Sequence, residues 1–302
     1  MALYAFNGTW NAEKTDVEET PGNEYHANTN ALKFRDAYSG DNGYYTNGVG
    51  TRFGLVGRII GGAFGVGGQD RINDALGHLR SRLAAGDATT DVVGFSRGAA
   101  LALAFANRLY KQVIDPRTGK PPVVRFLGLW DVVGSFGIPI NLGPFLFQEY
   151  NLGYRLTLPQ NVEHCYHAMA LDERRQTFRV TRLKGAYEVW FRGAHSDIGG
   201  GNGNLGLNNI AFTWMLRKAA ATGLAIDRVR LHEASAAADP AAAVQWPRDF
   251  VKNRKREIAA DDRVHHTVAT GGHPDCNDPH ATCIVETAAD ELTATRAATF
   301  RA

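Results

Sequence analysis

Asp91-Val-Val-Gly-Phe-Ser-Arg-Gly-Ala-Ala100 is the stretch on which the fold turns. Its centre, Gly94-Phe-Ser96-Arg-Gly98, fits G-x-S-x-G. That pattern belongs where a strand runs into a helix. The turn is so tight that the serine takes a strained backbone, and glycine is needed two residues to either side. The flanks agree. Residues 91–95 are a short apolar run suited to a buried strand, and Arg97 to Tyr110 (RGAALALAFANRLY) is rich in the helix formers Ala and Leu. A bare G-x-S-x-G arises by chance. Strand and helix signals on its two sides make Ser96 a candidate nucleophile.

The order of elements extends outward from this turn. Upstream, Ile72, Leu76, Leu79 and Leu83 recur at helical spacing within Asp70 to Ala85, and Gly86 is a natural stop. Downstream, the turn cluster Asp115–Pro122 precedes Val123 to Trp130, a nearly unbroken apolar run of the kind buried in a parallel sheet. At the N-terminus, Leu3 to Phe6 reads as a first strand running into Asn7-Gly-Thr-Trp-Asn11. Helix-strand-helix alternation predicts an α/β fold, a mostly parallel central sheet with helices on both faces. The 302 residues suffice for one such domain over 1–302.

Strand ends carry the candidate chemistry. Asp131 follows the central run at its C-terminal tip, where a general base finds its carboxylate partner; capping the next segment is the plainer role. Ala186 to Phe191 is strand-like and delivers Arg-Gly-Ala-His195-Ser-Asp197-Ile-Gly-Gly-Gly201. His195 is the candidate base, in the chain order Ser96, Asp131, His195. Asp197 is a rival acid or part of a cation site, which makes calcium conceivable. An oxyanion hole needs two backbone donors; Arg97 supplies one, and Gly8 or Thr9 the other, unless Asn7-Gly8 is a plain turn.

Other segments are less specific. Residues 12–46 are polar and read as surface loop with a short helix near Asn30–Tyr38. The glycine-rich run 53–68 reads as a buried loop over the sheet or as part of an acyl-binding cleft. Residues 134–160 are apolar but lack any period, as in an interior loop or a lid. Phe178–Leu183 reads as a strand, Glu163–Leu171 as helix or strand, and Leu207–Ala221 as a helix. Gly201-Asn-Gly-Asn-Leu-Gly206 fits G-x-G-x-x-G, a weak dinucleotide signal without a strand directly before it. Residues 224–302 are the least readable part. Within them, the basic run Arg248–Arg256 reads as a solvated helix face. His273, Cys276, His280 and Cys283 are spaced for zinc or for a Cys276–Cys283 disulfide. Net charge is +2, so no nucleic-acid partner is implied. No leader-like apolar run opens the chain, which predicts a cytoplasmic protein or one exported without a cleaved signal.

Six stretches together resemble one family: Phe6–Asn11, Gly48–Thr51, Gly61–Gly65, Gly94–Ala99, Leu129–Asp131 and Trp190–Gly201. They are similar to the α/β-hydrolase domain of bacterial type VI secretion phospholipase effectors and its free-standing relatives. Asn7 stands where that family usually has Asp. The resemblance implies a serine lipolytic hydrolase with nucleophile Ser96, base His195 and acid Asp131, acting on glycerophospholipid esters without a required cofactor. Its partner would be a lipid or ester substrate, met in transient contact with a membrane surface. An esterase for neutral or small esters and a non-catalytic binding domain of the same fold are the alternatives.

Overall fold

A computed structural model describes residues 2–8, 28–46, 62–87, 89–134, 156–175, 178–246, 254–268 and 275–301. Eight strands form one parallel sheet: β1 (Ala2–Phe6), β2 (Asp41–Thr46), β3 (Thr90–Phe95), β4 (Val124–Trp130), β5 (Val162–Ala170), β6 (Tyr187–Phe191), β7 (Arg263–His265) and β8 (Ile284–Glu286). Their spatial order is β2-β1-β3-β4-β5-β6-β7-β8, and every pairing is parallel. Alternate residues of each strand face opposite sides, so the sheet buries two cores. On one face Tyr4, Phe6 and Val92 meet Leu76 and Leu79 of α2 (Gly62–Ala84) and Leu101 and Phe105 of α3 (Arg97–Gln112). On the other, Leu3, Val93, Phe126 and Tyr166 meet Phe34 of α1 (Asn30–Ala37) and Trp214 and Met215 of α5 (Leu205–Ala221). No described helix is long and apolar enough to cross a membrane.

Several expectations need correction. The short helix expected near Asn30–Tyr38 is α1, but residues 28–46 are not surface loop: α1 is largely buried, and β2 pairs with β1. Thr29 caps α1 and Asn30 donates to the carbonyl of Ile198, so polar residues here serve buried backbone instead of water. Helix α2 begins at Gly62, eight residues before the expected start, and takes in glycines that the sequence suggests belong to a loop. Extending a packed helix by one residue fixes fewer torsions than starting a new one. Phe178–Leu183 is not a strand; it makes a single bridge, Val180 to Val133. Residues 163–170 resolve as strand, the centre of the sheet. The possible lid, 134–160, and the glycine-rich run from 53 lie mostly outside the described residues.

Past α5 the chain adds α6 (Arg228–Ala236) and the three-residue strands β7 and β8. So short an edge needs side-chain ties. Lys218 of α5 is fully buried and pairs with Glu286 of β8 at 2.9 Å, among the rings of Tyr187, Tyr166 and Trp214.

Candidate active site

Strand register builds the site. Phe95 of β3 pairs with Trp130 of β4, so the residues that follow, Ser96 and Asp131, leave the sheet side by side at its C-terminal edge. That edge is where open parallel sheets hold ligands. The ladder continues into the turn: Ser96 N–H donates to Trp130 O at 2.9 Å and Asp131 N–H to Ala168 O at 2.8 Å. Both residues have positive φ, 59° for Ser96 and 42° for Asp131. For side chains with a Cβ this costs about 1–3 kcal/mol each. The two glycines of G-x-S-x-G let the turn close. A Cβ on Gly94 would stand 2.7 Å from Ala99 Cα, and one on Gly98 only 2.3 Å from Asn7 O.

His195 opens α4 (His195–Gly199), a single helical turn where the sequence suggests a loop. Asp172 clamps the approach to it, accepting from Gly193 N–H at 2.7 Å and Arg192 at 2.8 Å. The imidazole lies between Phe95 and Phe178, with centroids 4.7 and 4.8 Å away. Its backbone N–H donates to Glu173, itself held by Arg175. So placed, His195 Nε2 is 2.8 Å from Ser96 Oγ, and Nδ1 is 2.6 Å from Asp131 Oδ2. A carboxylate only accepts, so Nδ1 carries the proton and the Nε2 lone pair faces the serine hydroxyl.

Asp131 is completely buried and takes three further donor contacts, two of them from one side chain. Ala170 N–H donates to Oδ1 at 2.9 Å, and Arg256 makes a fork, 2.5 Å to Oδ1 and 2.9 Å to Oδ2. Arg256 also donates to the carbonyls of Ala170 and Phe178 at 2.7 Å. Burial opposes the charged carboxylate, but the Arg256 cation and the His195 bond outweigh it and hold the Asp131 pKa well below the usual range. Burial disfavours the imidazolium more than Asp131 favours it, and holds the His195 pKa below the ordinary histidine value.

Arg256 corrects the reading of Arg248–Arg256 as a solvated helix face. It is not helical, and its side chain is 7% exposed. Within a basic run nothing singles out the one residue whose partner lies 125 positions away, and Glu173 and Phe178 likewise carry no local signal. Asp197 does not reach for the imidazole. Its oxygens accept from the N–H groups of Ala194 and Gln245 and from the amides of Asn202 and Asn204. The 201–206 glycine loop thus wraps a carboxylate, and α4 separates it from β6.

Arg97 begins α3, and burial lowers its guanidinium pKa to about 10. Gly8 N–H donates to Asn7 Oδ1 at 2.8 Å, and the same oxygen accepts from Thr29 Oγ1 at 2.6 Å, so the Asn7 amide organises the first loop. Thr9 lies outside the described residues, as does His273. Cys276 and Cys283 are not joined by a disulfide, which corrects that alternative.

Residues 3–120 and 108–218 match the family model described as T6SS, Phospholipase effector Tle1-like, catalytic domain. No curated protein matches the chain. A crystal structure of an uncharacterized protein from Pseudomonas aeruginosa is similar at 20% identity and TM-score 0.53, over 79% of this chain and 48% of that one. A structure of the Tle1 effector bound to the VgrG spike from the Type 6 secretion system is 24% identical at TM-score 0.45, over 68% of this chain and 51% of that one. The chain spans about half the length of each, and at such identities the likeness concerns the fold alone. The family match spans residues 3–218, with Ser96, Asp131 and His195 inside it: the chain belongs to the Tle1-like family of type VI secretion phospholipase effectors, over its catalytic domain.

Proposed function

We propose that the protein is a serine hydrolase that cleaves a carboxylic ester of glycerophospholipids through an acyl-enzyme. The observation that carries this reading is the continuous chain Ser96 Oγ to His195 to Asp131, with links of 2.8 and 2.6 Å, within the span of the family match. Ser96 Oγ attacks the ester carbonyl as its proton passes to His195 Nε2. The C–O bond breaks, and the same proton goes to the departing lysophospholipid alcohol. Water, deprotonated by His195, then attacks the acyl carbon; fatty acid leaves and Ser96 regains its proton. The Arg97 backbone N–H, at the N-terminus of α3, would donate to the oxyanion, with Gly8 or Thr9 as the second donor. Gly8 would first have to release Asn7.

Fatty-acid release from vesicles of defined phospholipid, run beside fluorophosphonate labelling, tests the reading. Labelling at Ser96 and liberated fatty acid are expected. Release of phosphorylated head group instead would overturn it. A rate that rises sharply once substrate aggregates separates this enzyme from one acting on small esters.

The pH profile follows from the imidazole. Only neutral His195 can take a proton, so activity is retained above its pKa and lost below it. The acid limb of kcat/KM is expected at lower pH than an ordinary histidine would give. Arg256→Met removes the cation that offsets Asp131, so the imidazolium is better stabilised and the limb moves to higher pH. The orphaned buried carboxylate also costs about 3–5 kcal/mol of stability, read as a lower Tm. Arg256→Lys keeps the charge and is expected to leave the limb near its original position.

A further inference from the structure

A second cluster lies at the far side of the sheet from the nucleophile. His265 ends β7, His266 follows it, and Glu291 lies in the short 3-10 turn Asp290–Leu292. Both histidines place Nε2 at 2.9 Å from the same oxygen, Glu291 Oε1, and the three potential ligand atoms lie within 4.8 Å of one another. The strands β3 and β7 are four places apart, so this cluster is about 19 Å from the Ser96 strand at ordinary strand spacing. The proposed hydrolysis does not use it.

We propose that His265, His266 and Glu291 bind one divalent ion of the zinc type, with water from the adjoining cavity as fourth ligand. Two imidazoles and one carboxylate suit a borderline ion, whereas calcium takes oxygen ligands. The geometry is close to what such an ion needs. Tetrahedral zinc with bonds near 2.0–2.1 Å separates its ligand atoms by about 3.3 Å, so the 2.9 Å contacts must open by only a few tenths of an ångström. The surroundings prepare each ligand. Glu291 only accepts, so in the metal-free chain His265 Nε2 carries the proton; with an ion bound the proton sits on Nδ1 instead, where Thr267 Oγ1 at 2.7 Å can accept it. The Thr267 N–H, at 3.4 Å from Nδ1, is a distant competitor. Arg217 holds the other oxygen of Glu291, so the carboxylate presents Oε1 alone.

An open coordination position and an access path are also present. The three side chains border a cavity of about 130 Å³ whose wall includes Thr213 and Ser235, roomy enough for water. His266 is 37% exposed, while His265 and Glu291 are buried, so an ion enters past a movable outer ring and settles on two fixed ligands. Bound there, it would join β7, the turn after β8 and, through Arg217, α5. Those are the segments that close the short-stranded edge of the sheet.

The test uses the full chain after dialysis against chelator. Zinc is added in a calorimetric titration and in thermal melts. The expected result is one ion per chain and a Tm that rises with free zinc as mass action requires. His266→Ala is the informative variant, because its exposed ring contributes little to the metal-free fold. It should retain the zinc-free Tm and the basal ester hydrolysis while weakening zinc binding at least tenfold. Glu291→Gln should do the same to binding. Absence of zinc binding by the parent chain, or binding by His266→Ala within a few-fold of the parent, would overturn the proposal.

Discussion

Ser96→Ala is expected to lower ester turnover by about six orders of magnitude, the loss typical when the nucleophile of such a set is removed. The fold should survive. Alanine keeps the Cβ that Ser96 already has, so the positive φ of 59° carries the same strain, and only the 2.8 Å bond to His195 disappears. One such bond contributes about 1 kcal/mol. Melting of the variant within a few degrees of the parent, together with lost turnover and lost fluorophosphonate labelling, is the expected pattern. Ser96→Gly separates the two roles of this position. It is equally inactive, but it relieves the backbone and should melt above Ser96→Ala. Near-parental turnover by Ser96→Ala would end the serine mechanism.

Asp131→Asn is the second large effect, about four orders of magnitude in kcat. The carboxylate accepts from His195, Ala170 and twice from Arg256. An amide offers one acceptor oxygen and an NH2 that only donates, so one side of this arrangement meets donor against donor. If the NH2 faces His195, the ring must protonate on Nε2 and can no longer take the serine proton. If it faces Arg256, the guanidinium loses a bond and its counter-charge in a dry site. Asp197→Asn provides the comparison. Asp197 meets amides and N–H groups of its own loop, so its loss should lower stability and leave kcat of the folded protein within about tenfold. A greater loss of kcat from Asp197→Asn than from Asp131→Asn would reverse the assignment.

Much of this arrangement is legible in the chain itself. The strand before Ser96, the helix after it and the apolar run ending at Trp130 are patterns of local period and turn chemistry, which act over five to fifteen residues. They place Ser96 and Asp131 at the tips of neighbouring parallel strands once the α/β order is accepted. His195 is harder. Its position after β6 is readable, but its helical turn and its seat between Phe95 and Phe178 come from packing. The polar composition of residues 28–46 misleads for a similar reason, since their amides and hydroxyls bond to buried backbone instead of water.

The sequence by itself determined the class of the fold, the G-x-S-x-G turn and the order of the three candidate side chains, because hydrophobic period and backbone sterics are local. Only the tertiary structure decided that Arg256 grips Asp131, that Asp197 belongs to its own loop, and that His265, His266 and Glu291 meet. The first and the last are contacts of charged groups 25 to 125 residues apart, and the second is a choice of partner made in space. Coulomb attraction and hydrogen bonding there depend on distance in space, and nothing in the spacing along the chain records it.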